Sequence, residues 1–247
     1  MSSLSALPIC AVNPSSKTLD LKGVFPLSDA LLAHVPKMTC LKHVHINTSS
    51  GVTSRGIKCL YSLQQLESLE LKGSVVTDST LDGIGAARKT LKLLYLNRTC
   101  VSDSDLVHLT CLSSLKALLI YWCRNVTSAG MLLVDQLTGL EELYLFGSGV
   151  RDDGLQYLRP LTRLKLLVLP LMITDAGLRH IQWFPALEYL DSSGFLVSKD
   201  GVKLLRKLRS LKQVRVHNER RTRELVVDVL PHVQVSSAHL PNKILGD

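Results

Sequence analysis

The chain has 247 residues, of which 46% are hydrophobic and only 5% aromatic, and its formal net charge is +8. The apolar fraction is sufficient for a continuous core, but no apolar run reaches the roughly 20 residues that cross a bilayer, which excludes a membrane-spanning helix. The six cysteines form no C-x-x-C pair, and the first residues lack a basic stretch followed by a cleavage site. We therefore expect an intracellular protein with reduced thiols, cytoplasmic or nuclear, with a mitochondrial location left open.

The predicted elements begin with a strand at Leu19-x-Leu21, after an N-terminal extension of residues 1–16. From there one phrase, leucine-x-x-leucine-x-leucine, returns at steps of 23 to 25 residues. Its alternation has the two-residue period of a strand, with the leucines toward a core and the residues between them toward the other face. Self-similarity at this period is typical of a stacked solenoid. The phrase, or a close variant of it, begins at Leu41, Leu66, Leu91, Leu115, Leu140, Leu164, Leu187 and Leu211, and a shortened terminal strand is predicted at Val233-x-Val235.

A second signal follows each strand after a turn, and it predicts a short helix. An aliphatic residue is followed by a hydroxyl or carboxylate residue, as in Ile173-Thr174-Asp175. Such side chains can accept a hydrogen bond from a free backbone N–H at a helix start, and Asp opposes the positive end of the helix dipole. Aliphatic residues then recur every three positions, as in Leu155, Leu158 and Leu161. We expect these helices on the convex side of the stack.

The repeat resembles the cysteine-containing subtype of leucine-rich repeat, shown best by Ile173-Thr174-Asp175-Ala176-Gly177-Leu178. That subtype is known from F-box substrate receptors and from relatives such as the antagonist-of-mitotic-exit group. The resemblance implies an α/β solenoid, a curved horseshoe with parallel strands on the concave face and short helices on the convex face. It covers residues 17–235 as about nine repeats, followed by a C-terminal tail of residues 236–247. Residues 1–16 are too few for an F-box, so we expect no direct link to a cullin-type ligase.

The side chains between the strand leucines predict a binding surface on the concave wall. They are polar in the first repeats, as at His43 and Glu70, and again in the last, but apolar or aromatic in the middle ones. Such patches usually mark contact with another protein, although strands favour aromatics in any case and an N-terminal segment could cover them. We expect Trp122→Ala with Tyr144→Ala to abolish partner capture and leave the fold intact. The predicted partner-binding residues are Leu93, Tyr95, Leu119, Tyr121, Trp122, Tyr144, Phe146, Leu166, Val168 and Leu171.

Basic residues are concentrated between positions 199 and 223, where ten lysines and arginines face only two acidic residues. This end suits an acidic protein or the phosphate backbone of RNA, although a solvated charged face is the plainer interpretation. No aromatic residues flank the run to stack on bases, so RNA binding would be salt-sensitive. The predicted contacts to an anionic partner are Arg206, Lys207, Arg209, Arg215, Arg220, Arg221 and Arg223.

No pattern in the sequence favours catalysis, a cofactor or a metal. His43 and His45 share a strand face but lack an evident third ligand, and Cys123 occupies a structural position of the repeat. We therefore predict a non-catalytic interaction module, an adaptor or scaffold subunit of an intracellular assembly, with no membrane or small-molecule ligand. The alternatives are a ribonucleoprotein component that uses the basic end, and a substrate adaptor of a ubiquitin ligase that acts through a separate subunit.

Overall fold

Ten parallel strands form one sheet in which every strand lies beside its neighbour in sequence. The computed structural model describes residues 15–22, 24, 26–47, 51–73, 76, 78–192, 198–216 and 220–236, without the side chains of residues 78, 79 and 220–222. Residues 1–14 and 237–247, most of the predicted extension and tail, lie outside the described part. The strands are β1 Thr18–Asp20, β2 His43–Asn47, β3 Ser68–Lys72, β4 Leu93–Asn97, β5 Ala117–Tyr121, β6 Glu142–Tyr144, β7 Leu166–Val168, β8 Tyr189–Asp191, β9 Gln213–Arg215 and β10 Gln234–Ser236.

The leucine phrase sets the register of the sheet, because equivalent positions pair from repeat to repeat. Leu69 lies opposite Leu94, and Leu94 lies opposite Leu118. The strand leucines therefore form columns that pack against the helices in one continuous core, which extends from Leu19 to Val233. The predicted terminal strands are confirmed, since β1 pairs with β2 and β10 with β9. Because each strand is a separate period of the sequence, the core grows by one layer per repeat.

Short helices follow the strands, as the capping signals predicted. In two of the repeats the segment is a 3₁₀-helix alone, Ser104–Leu109 and Asp152–Leu158. A 3₁₀-helix has three residues per turn, so the three-residue spacing of Leu155 and Leu158 keeps both on the core side. The α-helices are α1 Asp29–Leu32, α2 Ser54–Lys58, α3 Asp78–Leu81, α4 Met131–Val134, α5 Asp175–Ile181, α6 Lys199–Leu204 and α7 Arg220–Val229; further 3₁₀-helices are Val35–Lys37, Cys59–Ser62, Ile84–Ala87, Ser128–Gly130 and Leu205–Lys207.

The Thr-Asp part of the helix signal links neighbouring repeats. The Thr174 hydroxyl accepts from the backbone N–H of Ala176, which caps α5 as predicted. The same hydroxyl donates to Asp152 of the preceding repeat over 2.6 Å, and the Thr174 N–H donates to that carboxylate over 2.9 Å. The sequence did not indicate this second role, in which an aspartate binds the next coil. The same two bonds join Asp29 to Thr53, Asp103 to Thr127 and Asp175 to Ser198.

The glycine of the signal is required by this aspartate. A Cβ atom on Gly201 would overlap the Asp175 carboxylate of the preceding repeat, and Gly56, Gly130 and Gly177 stand in the same relation to their aspartates. Where the aspartate position holds Ser54 instead, the glycine position holds Thr80, and the two hydroxyls lie 3.0 Å apart. At these four boundaries the aspartate and the glycine are therefore coupled, whereas Gly154 faces Ser128, and a Cβ there would lie 2.9 Å from the serine hydroxyl.

This coupling predicts that the effect of Gly201→Ala changes sign with the residue at position 175. In the wild type, the new methyl group displaces the Asp175 carboxylate, and overpacking of this kind costs about 1–3 kcal/mol. In an Asp175→Ala background, where residue 175 has no side-chain atom beyond Cβ, the nearest remaining atom is that Cβ, at 3.4 Å. There Ala is expected to be neutral or stabilising, since Ala exceeds Gly in helix propensity by about 1 kcal/mol. Urea unfolding of the four variants measures the coupling energy.

A matched control for this cycle is Gly139→Ala. A Cβ at Gly139 would meet only backbone oxygens, at 3.5 and 3.6 Å, which is ordinary contact. Its effect is expected to be small and equal in both backgrounds, because distant sites are additive within about 0.5 kcal/mol. Equal costs for Gly201→Ala in the wild type and in the Asp175→Ala background would refute the coupling.

A ladder of lysines and glutamates runs along the edge of the sheet where the strands begin. Each belongs to position two of the phrase, counting its first leucine as position one. Glu67 accepts from Lys42 and from Lys92, both over 2.6 Å, and these two hydrogen bonds lower the pKa of Glu67 to about 2. Each exposed pair contributes little stability, about 0.2–1 kcal/mol. The ladder nevertheless compensates the lysine charges at this edge; the remaining pairs are Lys116–Glu141, Lys165–Glu141 and Lys212–Glu188.

Candidate protein-binding face

The side chains between the strand leucines form a second apolar cluster, on the face of the sheet opposite the leucine core. We call this surface the open face; it corresponds to the predicted concave wall. The middle repeats supply the cluster, and its polar flanks include His45 and Arg215. Within the cluster six residues are buried and four are half-buried: Leu93, Ala117, Leu119, Tyr144, Leu166 and Val168, then Tyr95, Tyr121, Phe146 and Tyr189.

Lateral packing buries more of this cluster than the sequence predicted. Tyr95, Leu119 and Tyr144 pair in register, followed by Val168. Adjacent strands are about 4.8 Å apart, so side chains in one such row contact each other. Tyr144 retains only 2% of its accessible surface. The expectation that every predicted residue stands exposed is therefore wrong for Leu93, Leu119, Tyr144, Leu166 and Val168, whereas their assignment to the open face is correct.

Half-buried Tyr95, Tyr121 and Phe146 of this cluster, together with exposed Trp122 beside it, form an aromatic surface. The Tyr121 ring lies 5.7 Å from the Tyr95 ring and 6.5 Å from the Phe146 ring. The Trp122 indole meets Phe146 edge-on, with 5.3 Å between centroids. Ring pairs in tilted or edge-to-face contact are worth about 0.5–1.5 kcal/mol beyond their burial. The rings therefore hold one another in place before any partner arrives.

Trp122 stands at the end of β5 in a backbone conformation that bulky residues avoid. Its φ is 56°, and position eight of the phrase is also left-handed at Gly73, Arg98 and Gly147. A non-glycine residue in this region costs about 1–2 kcal/mol. A Cβ on Gly147 would come within 2.7 Å of the indole, so glycine at 147 makes room for the ring. Trp122 remains 37% exposed at the rim of the open face.

Buried polar groups adjoin the aromatic surface. The Tyr144 hydroxyl donates to Glu142 over 2.9 Å. Burial, reinforced by the Glu142 carboxylate, raises the pKa of Tyr144 well above its usual value, so the hydroxyl remains a donor. In the same row as Tyr144, the Arg215 guanidinium donates to Asp191 over 2.6 Å, and both side chains are buried. These contacts fix the middle and far parts of the open face.

The residues predicted to contact an anionic partner lie in different surroundings. Arg215 corrects that prediction, because it is 7% exposed and neutralised by Asp191. Arg206 donates to the Val229 carbonyl over 3.1 Å, and Lys207 donates to Gln182 over 2.6 Å. Arg209 and Arg223 are exposed, while the side chains of Arg220 and Arg221 lie outside the described part.

The polar flank of the first repeats contains an ion-pair cluster. Glu70 meets Lys22 at 2.7 Å and His45 at 2.8 Å. Burial opposes ionisation of Glu70, but hydrogen bonds from His45 and Lys22 outweigh it and lower the pKa of its carboxyl group. Across the described ranges, His, Cys, Asp and Glu form no group of three that could hold a metal ion.

Two further residues considered in the sequence are Leu171, a predicted contact, and Cys123. Leu171 is half-buried, beside Met172, which is 53% exposed. Cys123 is buried with its sulfur 3.1 Å from the Thr99 hydroxyl, and burial raises the pKa of the thiol. A thiol of this kind is a poor nucleophile, because the thiolate is the reactive form.

Sequence reasoning missed Arg98 and Arg124, which lie beside the aromatic surface. Both are exposed, at position eight of the preceding repeat and two residues after Trp122 respectively. The sequence did contain a signal for Arg98, because it occupies position eight of its repeat, the position that Trp122 holds in the next one.

No helix among the described residues is long and apolar enough to cross a bilayer.

Comparison with known proteins supports the architecture. No protein-family model matches the sequence, and no curated protein is detectably similar to it. Among solved structures, internalin C2 from Listeria monocytogenes superposes with a TM-score of 0.56 and 18% identity, over 85% of this chain and 84% of internalin C2. The plant peptide hormone receptor RGFR1, solved in complex with RGF2, gives a TM-score of 0.45 and 13% identity, over 74% of this chain and 29% of the receptor. The sequential parallel sheet, its flanking short helices and the likeness to internalin C2 show that this chain has the α/β leucine-rich-repeat solenoid fold.

Proposed function

We propose that this chain is a non-catalytic protein-binding module whose partner docks on the open face, and that it acts as an adaptor or scaffold subunit of an intracellular assembly. The observation that carries the proposal is Trp122, a bulky residue held in a strained conformation and left 37% exposed. Strain of this kind persists only where the surrounding structure enforces it, and it concentrates at functional sites. Here the Trp122 N–H donates to the Phe146 carbonyl, and the indole packs on the Phe146 ring in the space that Gly147 leaves.

The aromatic surface has the physical properties of a binding hot spot. Tyr and Trp anchors commonly contribute ~2 kcal/mol or more when they are truncated at an interface. Since the four rings already contact one another, a partner would immobilise few additional side chains, and the entropic cost of binding would be low. Leu93, Leu119, Tyr144, Leu166 and Val168 would then support the rings from below, and Leu171 would extend the surface toward the next repeat.

The Thr-Asp-x-Gly-Leu signature supports assignment of the repeats to the cysteine-containing subtype. Its Thr, Asp and Gly act together as the inter-coil link described above. The subtype's cysteine position holds cysteine only at Cys123 among the clear repeats. Because this link recurs from one coil to the next, we propose that residues 17–235 form one repeat domain.

The test of the proposed function is Trp122→Gly. Glycine suits the left-handed backbone at this position, so relief of strain offsets part of the lost packing and the fold should persist. Removal of the indole is expected to weaken partner binding at least about 30-fold, the equivalent of 2 kcal/mol. Tagged wild-type and variant proteins are compared by quantitative mass spectrometry of co-purified proteins after nuclease treatment.

The matched control is Trp183→Ala. Trp183 is a second exposed tryptophan, 42% accessible, and it lies after α5 under the Arg159 guanidinium rather than on the open face. It is expected to retain all partners. If Trp122→Gly recovers the same proteins as the wild type at the same level, the aromatic surface is not the docking site.

A further inference from the structure

Two arginines flank Trp122 at the rim where the strands end. Arg98 occupies position eight of the preceding repeat, and its φ of 53° matches that of Trp122. The backbone N–H groups of Arg98 and Trp122 donate to Tyr121 and Phe146 respectively, which continues the strand ladder by one residue. The two residues are therefore neighbours on adjacent coils, about 4.8 Å apart along the sheet. Arg124 follows Trp122 by two residues, and both arginines are exposed.

Neither guanidinium is compensated within the described structure. Arg98 and Arg124 form no side-chain hydrogen bond or ion pair with the residues that the structure describes. By contrast, the lysines at the opposite edge of the sheet are paired with glutamates. Arginine is weakly hydrated and presents a planar fork suited to carboxylates, so exposed and unpaired guanidinium groups favour an anionic partner.

Several of the aspartates that follow these strands are already used by the fold. Asp103 binds Thr127, and Asp153 accepts from Ser128 over 2.5 Å. Asp152 binds Thr174 in the next coil. These carboxylates accept from hydroxyl and N–H groups of an adjacent coil, and none of them forms an ion pair with Arg98 or Arg124 in the described part of the chain. Two uncompensated arginines therefore lie at the rim beside the exposed tryptophan.

We propose that the partner presents an acidic protein segment, with carboxylates on Arg98 and Arg124 and an intervening apolar side chain on Trp122 and Phe146. This inference rests on the proposed function and adds the chemistry of the partner. The apolar contact supplies affinity, while the flanking charges set specificity and speed the encounter. The phosphates of single-stranded RNA would also bind the two arginines, and RNA binding is the competing outcome that the experiment distinguishes.

The experiment selects displayed random 12-residue peptides on the purified full chain. Selection is performed on the wild type, on Arg98→Glu/Arg124→Glu, and on Arg163→Glu/Arg179→Glu as a charge-matched control at exposed arginines elsewhere. Peptides from the wild type and the control should be enriched in Asp and Glu within three residues of an aromatic or aliphatic side chain. Peptides selected on Arg98→Glu/Arg124→Glu, called the rim variant, should lack this enrichment in acidic residues. In fluorescence anisotropy, the best wild-type peptide should bind the rim variant at least about 30-fold more weakly, and salt should weaken its binding to the wild type.

Four outcomes would overturn the acidic-segment inference. They are no enriched peptide, enriched peptides without acidic bias, an acidic bias that persists on the rim variant, and tighter binding of a 12-nucleotide oligouridylate than of the best peptide. The proposed function is judged separately. If Trp122→Gly loses its co-purifying partners while the rim variant retains them, the open face binds a partner whose chemistry is not acidic.

Discussion

Replacing Arg215 with Ala is expected to lower the free energy of unfolding by about 3–5 kcal/mol, because it leaves a buried carboxylate without its counter-charge. Asp191 is 3% exposed, and the Arg215 guanidinium lies 2.6 Å from it. The same substitution at exposed Arg209 is expected to change stability by no more than about 0.5 kcal/mol. Denaturant unfolding of the two variants at neutral pH measures the difference. Equal effects would mean that Arg215 behaves as a surface residue.

Removing both charges separates the ion pair from the packing around it. In Asp191→Leu/Arg215→Met, apolar side chains of similar volume replace the pair, and such exchanges are often neutral or stabilising. The Arg215 Nε atom is buried and has no hydrogen-bond acceptor among the described residues, so the pair is incompletely satisfied. Most of the stability lost in the single variant should therefore return. If the double variant is as unstable as Arg215→Ala, the unpaired Asp191 carboxylate is not the source of the cost.

The second large effect is expected at Tyr144, where Ala should cost about 3–5 kcal/mol, as for other buried aromatic residues. The ring is enclosed by side chains of the neighbouring strands, and its hydroxyl donates to Glu142. This result would correct the expectation that Trp122→Ala with Tyr144→Ala leaves the fold intact.

Tyr144→Phe is the matched variant, since it retains the ring and removes only the hydrogen bond. Its expected cost is about 1 kcal/mol. Thermal or denaturant unfolding distinguishes the two substitutions. A cost below about 1 kcal/mol for Tyr144→Ala would show that the open-face cluster adds little to stability.

The leucine phrase was sufficient to predict the architecture because the alternation in each strand reports which face a side chain occupies. It predicted Leu94 toward the core and Tyr95 toward the opposite face, and both are confirmed. The identity of the short helices was harder to predict, since apolar residues three apart fit an α-helix or a 3₁₀-helix. Leu178 and Ile181 lie in an α-helix, whereas Leu155 and Leu158 lie in a 3₁₀-helix.

The candidate site was predicted less completely, because exposure depends on neighbouring strands as well as on the strand itself. Tyr144 is buried by side chains one repeat away on either side, which the pattern of one strand cannot report. For Arg215, too, the pattern of a single strand did not reveal a neighbour in the adjacent repeat, here the acidic residue that pairs with it. A count along the sequence placed it in a basic run, but Asp191 holds the same position of the preceding phrase. Comparing equivalent positions in successive repeats would have revealed the pair.

The aspartate–hydroxyl links have a consequence for how such a chain can change its length. In each link an aspartate of one coil accepts from a hydroxyl residue of the next coil. If a whole repeat is duplicated or lost, the coils that become neighbours therefore still offer an aspartate and a hydroxyl to each other. Among the described boundaries, the one after Ser54 lacks the aspartate, and at the one where Ser128 faces Arg151 the serine hydroxyl accepts from a backbone N–H instead. A deletion that brought Asp103 opposite Arg151 would leave the carboxylate without its hydroxyl donor. Gain or loss of a repeat should therefore preserve stability where both boundaries carry the aspartate–hydroxyl link, and reduce stability where the change involves the Ser128–Arg151 boundary.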